Sequence, residues 1–304
     1  MARVLIGISS WADRGLVQSQ YYPNEVKNPA ERLSYYSKMF PVAEIDSSYH
    51  HFPMKRELDH WLNNTPEGFI FDVKAFSLFT QHPTPFTSLP RTIREEFGPE
   101  ISATGNIYWH HLPEKAAESL WSGFARSIES IRVAKKFGAV IFQFPPWFHP
   151  GKESYNYISH IKEMLPRLQL AVEFRFDTWL NDENRGNTIN FLKEREIAFV
   201  CVDEPQGFRS SITPLAVVTS RVGIIRFHGR NTVGWESKTA DTEDKYRYLY
   251  KQSELAEWLP KIREMAKEAE ELHIIFKNKH ADYPVKNARQ LSRSLGSDTG
   301  NVIL

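Results

Sequence analysis

The sequence predicts an α/β protein built as a (β/α)8 TIM barrel, and three observations carry that reading. Eight short apolar runs recur along the 304 residues, at 4–8, 42–49, 69–76, 139–144, 170–176, 198–202, 222–228 and 272–276. The segments between them repeat apolar residues at helical spacing, so each helix returns the chain to start another parallel strand. Charged and hydrogen-bonding residues alternate near the C-terminal ends of several runs, the end at which such barrels carry their ligand sites.

The connecting helices have readable boundaries. Asn28 and Pro29 supply a cap and a first-turn proline, after which Leu33, Tyr36 and Phe40 form an apolar stripe. Leu120, Phe124, Ile128 and Ile131 form another, with Gly138 expected to stop that helix before the fourth strand. Pro260 should divide the helix after the seventh strand into 253–259 and 261–272 or kink it. A last helix is expected from about Pro284 to Gly296.

One connection is too long for an ordinary strand-to-helix loop. Residues 77–113 contain Pro83, Pro85, Pro90, Gly98, Pro99 and Gly105, and read as a lid-like insertion after the third strand of a single 1–304 domain. His82, Tyr108, Trp109, His110 and His111 either contribute to the mouth or fix the loop on the barrel rim.

Composition narrows the partners. Lys+Arg 38 against Asp+Glu 37 gives no global field for polyanions, so a nucleic acid would need a local basic patch. The single Cys201 lies inside the sixth apolar run and reads as a small buried hydrophobe. The first strand begins almost at Met1, which predicts a cytoplasmic chain without a leader peptide, and the apolar stretches are too short for a membrane span.

Alternation along strands places the candidate site. Glu44, Asp46 and Ser48 share one face of the second strand, Asp72 and Lys74 one face of the third, Glu173 and Arg175 one face of the fifth, and Arg226, His228 and Arg230 one face of the seventh. The opposite faces carry Ile45, Phe71, Val73, Phe174, Ile225 and Phe227, suited to packing under helices. Charges pointing into a barrel must pair with each other or with a ligand. Glu44 and Asp72 are expected in a deeper structural layer, with Glu173, Arg175, Arg226, His228 and Arg230 at the rim.

The chain resembles the YecE-like family, also called domain of unknown function 72, nearly end to end. The matching segments include Gly7-Ile8-Ser9-Ser10-Trp11, Glu44-Ile45-Asp46-Ser47-Ser48-Tyr49, Phe71-Asp72-Val73-Lys74, Phe142-Gln143-Phe144-Pro145-Pro146, Glu173-Phe174-Arg175, Arg226-Phe227-His228-Gly229-Arg230 and Phe276-Lys277-Asn278. The resemblance implies a TIM barrel without a settled activity, and it adds Gln143 and Asn278 to the ligand-binding expectations. The sequence departs from the family pattern at Asp46, Tyr49, Lys277 and Phe176. Alternation with Asn278 turns Lys277 outward, and Phe176 removes a second imidazole.

Three function classes fit these residues. The first is an enzyme acting on a small anionic or sugar-like ligand, a hydrolase or isomerase by general acid/base catalysis. Lys74, Arg175, Arg226 and Arg230 would clamp the anion, and His228 with Glu173 would transfer protons, two neighbouring arginines favouring the neutral imidazole unless Asp46 or Asp203 compensates. The amides of 229–234 offer a phosphate site. A glycosidase variant pairs Glu173 with Asp46 or Asp203 and stacks sugars on Trp11, Tyr49, Trp147 or Trp179; Trp179 equally suits wall packing. The second class is a metal-dependent phosphodiesterase acting on nucleic acid, the only class needing a divalent metal, with no spaced ligand motif to hold it. The third is a non-catalytic module holding a metabolite or a nucleic-acid phosphate. No cofactor, metal ligand or membrane partner is otherwise expected.

Overall fold

The run expected to open the barrel folds as strand β1, Arg3–Ser9, and seven more parallel strands follow: β2 Val42–Ile45, β3 Ile70–Lys74, β6 Phe137–Gln143, β7 Leu170–Glu173, β8 Ala198–Asp203, β9 Val222–Phe227 and β10 Glu271–Phe276. This computed structural model describes residues 2–97, 105–237 and 242–303. β10 pairs back onto β1 from Arg3 opposite Glu271 to Ile8 opposite Phe276, which closes the sheet into an eight-stranded parallel barrel. The strands are buried on both faces because helices cover the outside and side chains fill the inside.

Two short ladders stand apart from the ring. β4, Thr84–Pro85, pairs antiparallel with β5, Asn106–Ile107, inside the long connection after β3. The final strand β11, Asn301–Ile303, lies antiparallel on the first residues of β1, where β2 does not reach because it pairs only with Ile8 and Ser9. A side chain at Gly300 would strike the Ile6 carbonyl, which explains the glycine with φ 70° at this entry.

The caps follow from local chemistry. Asn28 accepts from the Glu31 amide and Glu31 reaches back to the Asn28 amide, a capping box that starts the helix Pro29–Ser37. Pro260 sits in the first turn of the helix Leu259–Glu268, where its missing N–H costs nothing, so it starts that helix and separates it from Gln252–Ala256. The last helix runs Tyr283–Ser294.

Gly138 does not stop the preceding helix. That helix, Glu114–Val133, ends with Lys135 in the left-handed region at φ 57°, and Gly138 lies inside β6. A Cβ there would fall 2.3 Å from Asp72 Oδ1 and 2.8 Å from the His273 ring, so the glycine makes room for that buried pair.

In the long connection, Trp109 packs 5.6 Å from Trp121 and 5.8 Å from Tyr157, pinning the chain to the barrel wall. Gly98 and Pro99 of the expected lid lie outside the described residues. Trp179 is buried, stacks 3.9 Å from Phe174 and donates to the Phe148 carbonyl at 2.7 Å, so it belongs to the wall. Cys201 is likewise buried, and burial pushes its thiol up to about 12. Among the described residues no helix is long and apolar enough to cross a membrane.

Candidate functional site

Arg226, on the inward face of β9, is the hub of the barrel interior. Its Nη2 donates to Glu44 Oε1 at 2.5 Å, and its Nη1 donates to Glu173 Oε2 and, at 3.3 Å, to Gln143 Oε1. One guanidinium therefore ties β9 to β2, β7 and β6. The register brings this about: Gln143 lies opposite Glu173, and Arg226 opposite Val202. Burying a carboxylate raises its pKa, but Arg175 and Arg226 reverse that effect and hold Glu173 well below the usual range.

Arg175 continues the network outward. Its Nε donates to Glu173 Oε1 at 2.6 Å and its Nη1 to Glu204 Oε2 at 2.6 Å, while Glu204 Oε1 accepts the Ile212 amide at 2.8 Å. His228 Nε2 stands 2.9 Å from Arg175 Nη2 and 3.2 Å from Glu173 Oε1. Burial first, and then the Arg175 charge, depress this imidazole well below its ordinary pKa, so the ring is neutral. His228 and Glu173 are both fully buried and brace Arg175 from behind.

A second cationic pole lies across the mouth. Lys277 donates to Glu44 Oε1 at 2.9 Å and to Asp46 Oδ1 at 2.8 Å, Lys279 donates to Asp46 Oδ2, and Lys74 stands 3.8 Å from Asp46 Oδ1. Burial would raise the Asp46 pKa, but the three lysines outweigh it and hold the group well below the carboxylate range. Asp46, Tyr49, His50, Lys74, Lys277, Lys279, Gln143 and Tyr246 line a cavity of about 300 Å³. Gln143 and Tyr246 also border a neighbouring cavity of about 150 Å³ that reaches His82, Arg175, Ser210 and Trp235. The mouth thus has a lysine lobe and an arginine lobe.

Several expected site residues lie elsewhere. Asp203 is buried beside β9, accepting from Arg230 at 2.8 Å, Tyr250 at 2.7 Å and Trp258 at 2.7 Å. Arg230 is bound to Asp203 and Glu257, with hydrogen bonding to Asp203 the main reason its pKa is raised, so its fork is occupied. Trp11 packs edge-on to Trp61 at 5.8 Å within the core. Asn278 donates to the Tyr248 carbonyl and to Asn287, and the Gly229 amide donates to the Tyr250 hydroxyl, so both are held by the fold.

Three placements differ from those expected. β2 stops at Ile45 and residues Ser47–Tyr49 turn as a 3-10 helix, so Ser48 donates to the carbonyls of Ile45 and Lys74 instead of pointing into the mouth. Lys277 faces inward in phase with His273 and Ile275 of β10, and it is Asn278 that turns away from the barrel interior. Glu44 belongs to the Arg226 and Lys277 network at the mouth, whereas Asp72 pairs below it with His273 at 3.0 Å.

Sequence reasoning missed Lys279, Tyr246, Trp235, Glu204 and His273. Extending the alternation of β10 outward from His273 through Lys277 to Lys279 would have found both lysines and the histidine. Tyr246 and Trp235 come from an irregular stretch with no period to read. Of the insertion's polar aromatics, His82 reaches a mouth cavity, while His110 and His111 stand 4.3 Å apart beside an exposed Tyr108. Among the described residues no three His, Cys, Asp or Glu side chains converge as a metal site requires.

A closed parallel barrel whose strand tips gather charged side chains around a cleft defines this protein as a TIM barrel with a candidate site at its C-terminal mouth. The family described as "Protein of unknown function DUF72" matches residues 5–303, and the chain belongs to that family. It is 29% identical over 293 residues to the "UPF0759 protein YunF" of Bacillus subtilis (strain 168), covering 95% of this chain and 93% of that one. Two solved DUF72 family structures are similar to it. One, from Enterococcus faecalis V583, is 25% identical with TM-score 0.76, covering 96% of this chain and 94% of that one. Another, from Thermotoga maritima MSB8, is 26% identical with TM-score 0.74, covering 96% and 98%.

Proposed function

We propose that the mouth binds a small metabolite carrying a phosphate or carboxylate and that the protein is an enzyme using acid/base chemistry on it. The observation that carries this reading is the convergence of Lys74, Lys277 and Lys279 on one carboxylate, Asp46, around a cavity of about 300 Å³. That volume is at the small end of ligand sites, which run from about 300 to 1,000 Å³. Lys74, Lys277 and Lys279 meet Asp46 and, through Lys277, Glu44, with the Lys74 amine lowered to about 7 and so only partly charged at neutral pH. Arg175, already held by Glu173, Glu204 and His228, presents its remaining N–H groups from the adjoining lobe.

Glu173 and His228 have a positioning part in this reading. They fix Arg175, and their burial keeps them from direct contact with a ligand in either cavity. Proton transfer falls to groups that reach the cavity, Lys74 and Tyr246 among them.

Thermal-shift and calorimetric titration with phosphate-bearing, carboxylate-bearing and neutral sugars tests the reading. Stabilisation is expected for the anions, weakening with salt. Lys279→Ala and Arg175→Ala should each reduce affinity by about 10- to 100-fold, the equivalent of one charge-assisted hydrogen bond. Stabilisation by neutral sugars alone, or no dependence on Lys279 and Arg175, would sink the anion assignment. Bound ligand recovered unchanged from every incubation would leave a holder in place of an enzyme.

A further inference from the structure

We propose that Lys74 is an amine nucleophile that forms a Schiff base with a ligand bearing both an anionic group and an aldehyde or ketone. This rests on the anion-binding reading of the same mouth and names the ligand class more closely: an α-keto acid or a carbonyl sugar phosphate.

The geometry separates Lys74 from the other buried lysines. Lys277 and Lys279 are hydrogen-bonded to Asp46, one to each carboxylate oxygen. Asp46 Oδ1, the nearest acid to Lys74 at 3.8 Å, is therefore already taken by Lys277 at 2.8 Å. Among the described residues the Lys74 amine makes no hydrogen bond; its other neighbour is the Tyr49 ring, 4.2 Å from Nζ. Lys136 shows what a structural lysine looks like in this fold, with bonds of 2.9, 2.7 and 2.8 Å to the Leu62 carbonyl, the Thr65 carbonyl and the Thr65 hydroxyl. Lys74 instead ends β3 at the cavity wall with an amine held by the 3.8 Å ion pair to Asp46 and the Tyr49 ring and by no hydrogen bond among the described residues.

The surroundings also free the lone pair. Burial is the largest influence, followed by the Lys277 charge, and Arg226 adds to them; Asp46 and Glu44 oppose, and the amine is brought down to about 7. An ordinary lysine is almost wholly protonated at that pH, and a lysine lowered this way is poised for carbonyl attack. The imidazoles facing it do not carry the same charge change: His82 is lowered to about 4, by burial and then by Lys74, and His50 is lowered below its ordinary value for the same reasons. Tyr49 and Tyr246 are raised by burial and stay protonated, and Lys279 is raised because Asp46 outweighs its burial.

In the reaction the neutral amine forms a bond to the carbonyl carbon, and the C=O π pair moves to oxygen. The nitrogen releases one proton and the oxygen gains one, giving a carbinolamine. A second proton then carries the oxygen away as water as the nitrogen pair closes the imine. Protonated, that imine regains the positive charge of the original ammonium beside Asp46, and no external oxidant or reductant enters the step. Lys277 and Lys279 face the ligand's anionic end in this arrangement.

Trapping with cyanoborohydride tests the proposal on the intact protein, using pyruvate, glyoxylate and dihydroxyacetone phosphate as carbonyl probes and peptide mass mapping as readout. A single reduced adduct on Lys74 is expected. Its rate should rise about tenfold from pH 6 to pH 8 and then level, whereas an ordinary lysine gains about 100-fold over the same range with no plateau. Lys74→Met should remove the adduct, and so should Lys74→Arg, which keeps a positive charge at the position but has no amine to form an imine. Phosphate stabilisation without an adduct on Lys74, or adducts spread evenly over surface lysines, overturns the Schiff-base proposal and leaves the anion reading standing. An adduct on Lys74 that phosphate does not slow supports the nucleophile and overturns the anion reading. Absence of both adduct and phosphate stabilisation overturns both.

Discussion

His273 lies sealed inside the barrel with Asp72 at 3.0 Å on one side and Glu271 at 3.4 Å on the other. Burial alone would strip its charge, but the two carboxylates outweigh burial and raise the ring to about 9. The folded pKa is above the unfolded value of about 6.5, so this contribution is fully present below about pH 6.5 and is lost as pH rises through about 9. The shift corresponds to on the order of 3 kcal/mol. Urea unfolding of the native protein and of His273→Gln at pH 6 and pH 9.5 measures it. The native protein's advantage over the variant should shrink by about that amount at the higher pH; an advantage unchanged across the range would mean the buried ring carries no proton.

At the scale of the elements, Gly138 links the start of β6 to that ion pair. The Ala139 amide donates to Asp72 Oδ1 at 3.0 Å, so the backbone of β6 and the Asp72–His273 pair approach too closely for any side chain at 138. Gly138→Ala should destabilise by about 2 to 4 kcal/mol through overpacking of a buried charged pair. Gly186, in the helix Arg185–Glu194, has open space where a Cβ would go, and Gly186→Ala should stabilise by up to about 1 kcal/mol. Guanidinium unfolding of the two variants should move their midpoints in opposite directions. The same position shows how far sequence reading reaches. The strands, the Asn28 cap and the last helix were legible because periodicity and capping are local, and so was the inward placement of Glu173, Arg175 and Arg226. Gly138 was misassigned because its reason lies 66 residues away at Asp72 and 135 residues away at His273. Ser48 was turned the wrong way because the chain leaves β2 at Ile45, and Lys277 because its phase was taken from Asn278, beyond the end of β10, instead of from His273 and Ile275 within it. Arg230 and Asp203 carried the right chemistry for a site, but their partners Tyr250, Trp258 and Glu257 come from later elements that no spacing announces.

Across the whole molecule, Arg226 joins the packing of the barrel to the chemistry of its mouth. It binds Glu44 of β2 and Glu173 of β7 from β9, so strands spread around the ring share one buried cation. Such a charge adds little net stability against a well-packed apolar side chain, but removing it alone leaves two acids with fewer partners. Arg226→Met should therefore cost about 3 kcal/mol or more, and adding Glu44→Gln should recover part of that, a coupling of about 1 to 3 kcal/mol in a double-mutant cycle. The two acids keep Lys277 and Arg175, which holds the cost toward the lower end. The same substitution reaches the mouth, because Arg226 is one of the cations that depress the Lys74 amine. In Arg226→Met the midpoint of Lys74 labelling should move above the native value of about 7, and in the double variant with Glu44→Gln it should fall back, since Glu44 pulls the amine upward. Labelling rates across pH 6 to 10 on the two variants provide the check. A labelling midpoint that ignores both changes would confine Arg226 to holding the strands together, with no electrical hold over the lysine lobe.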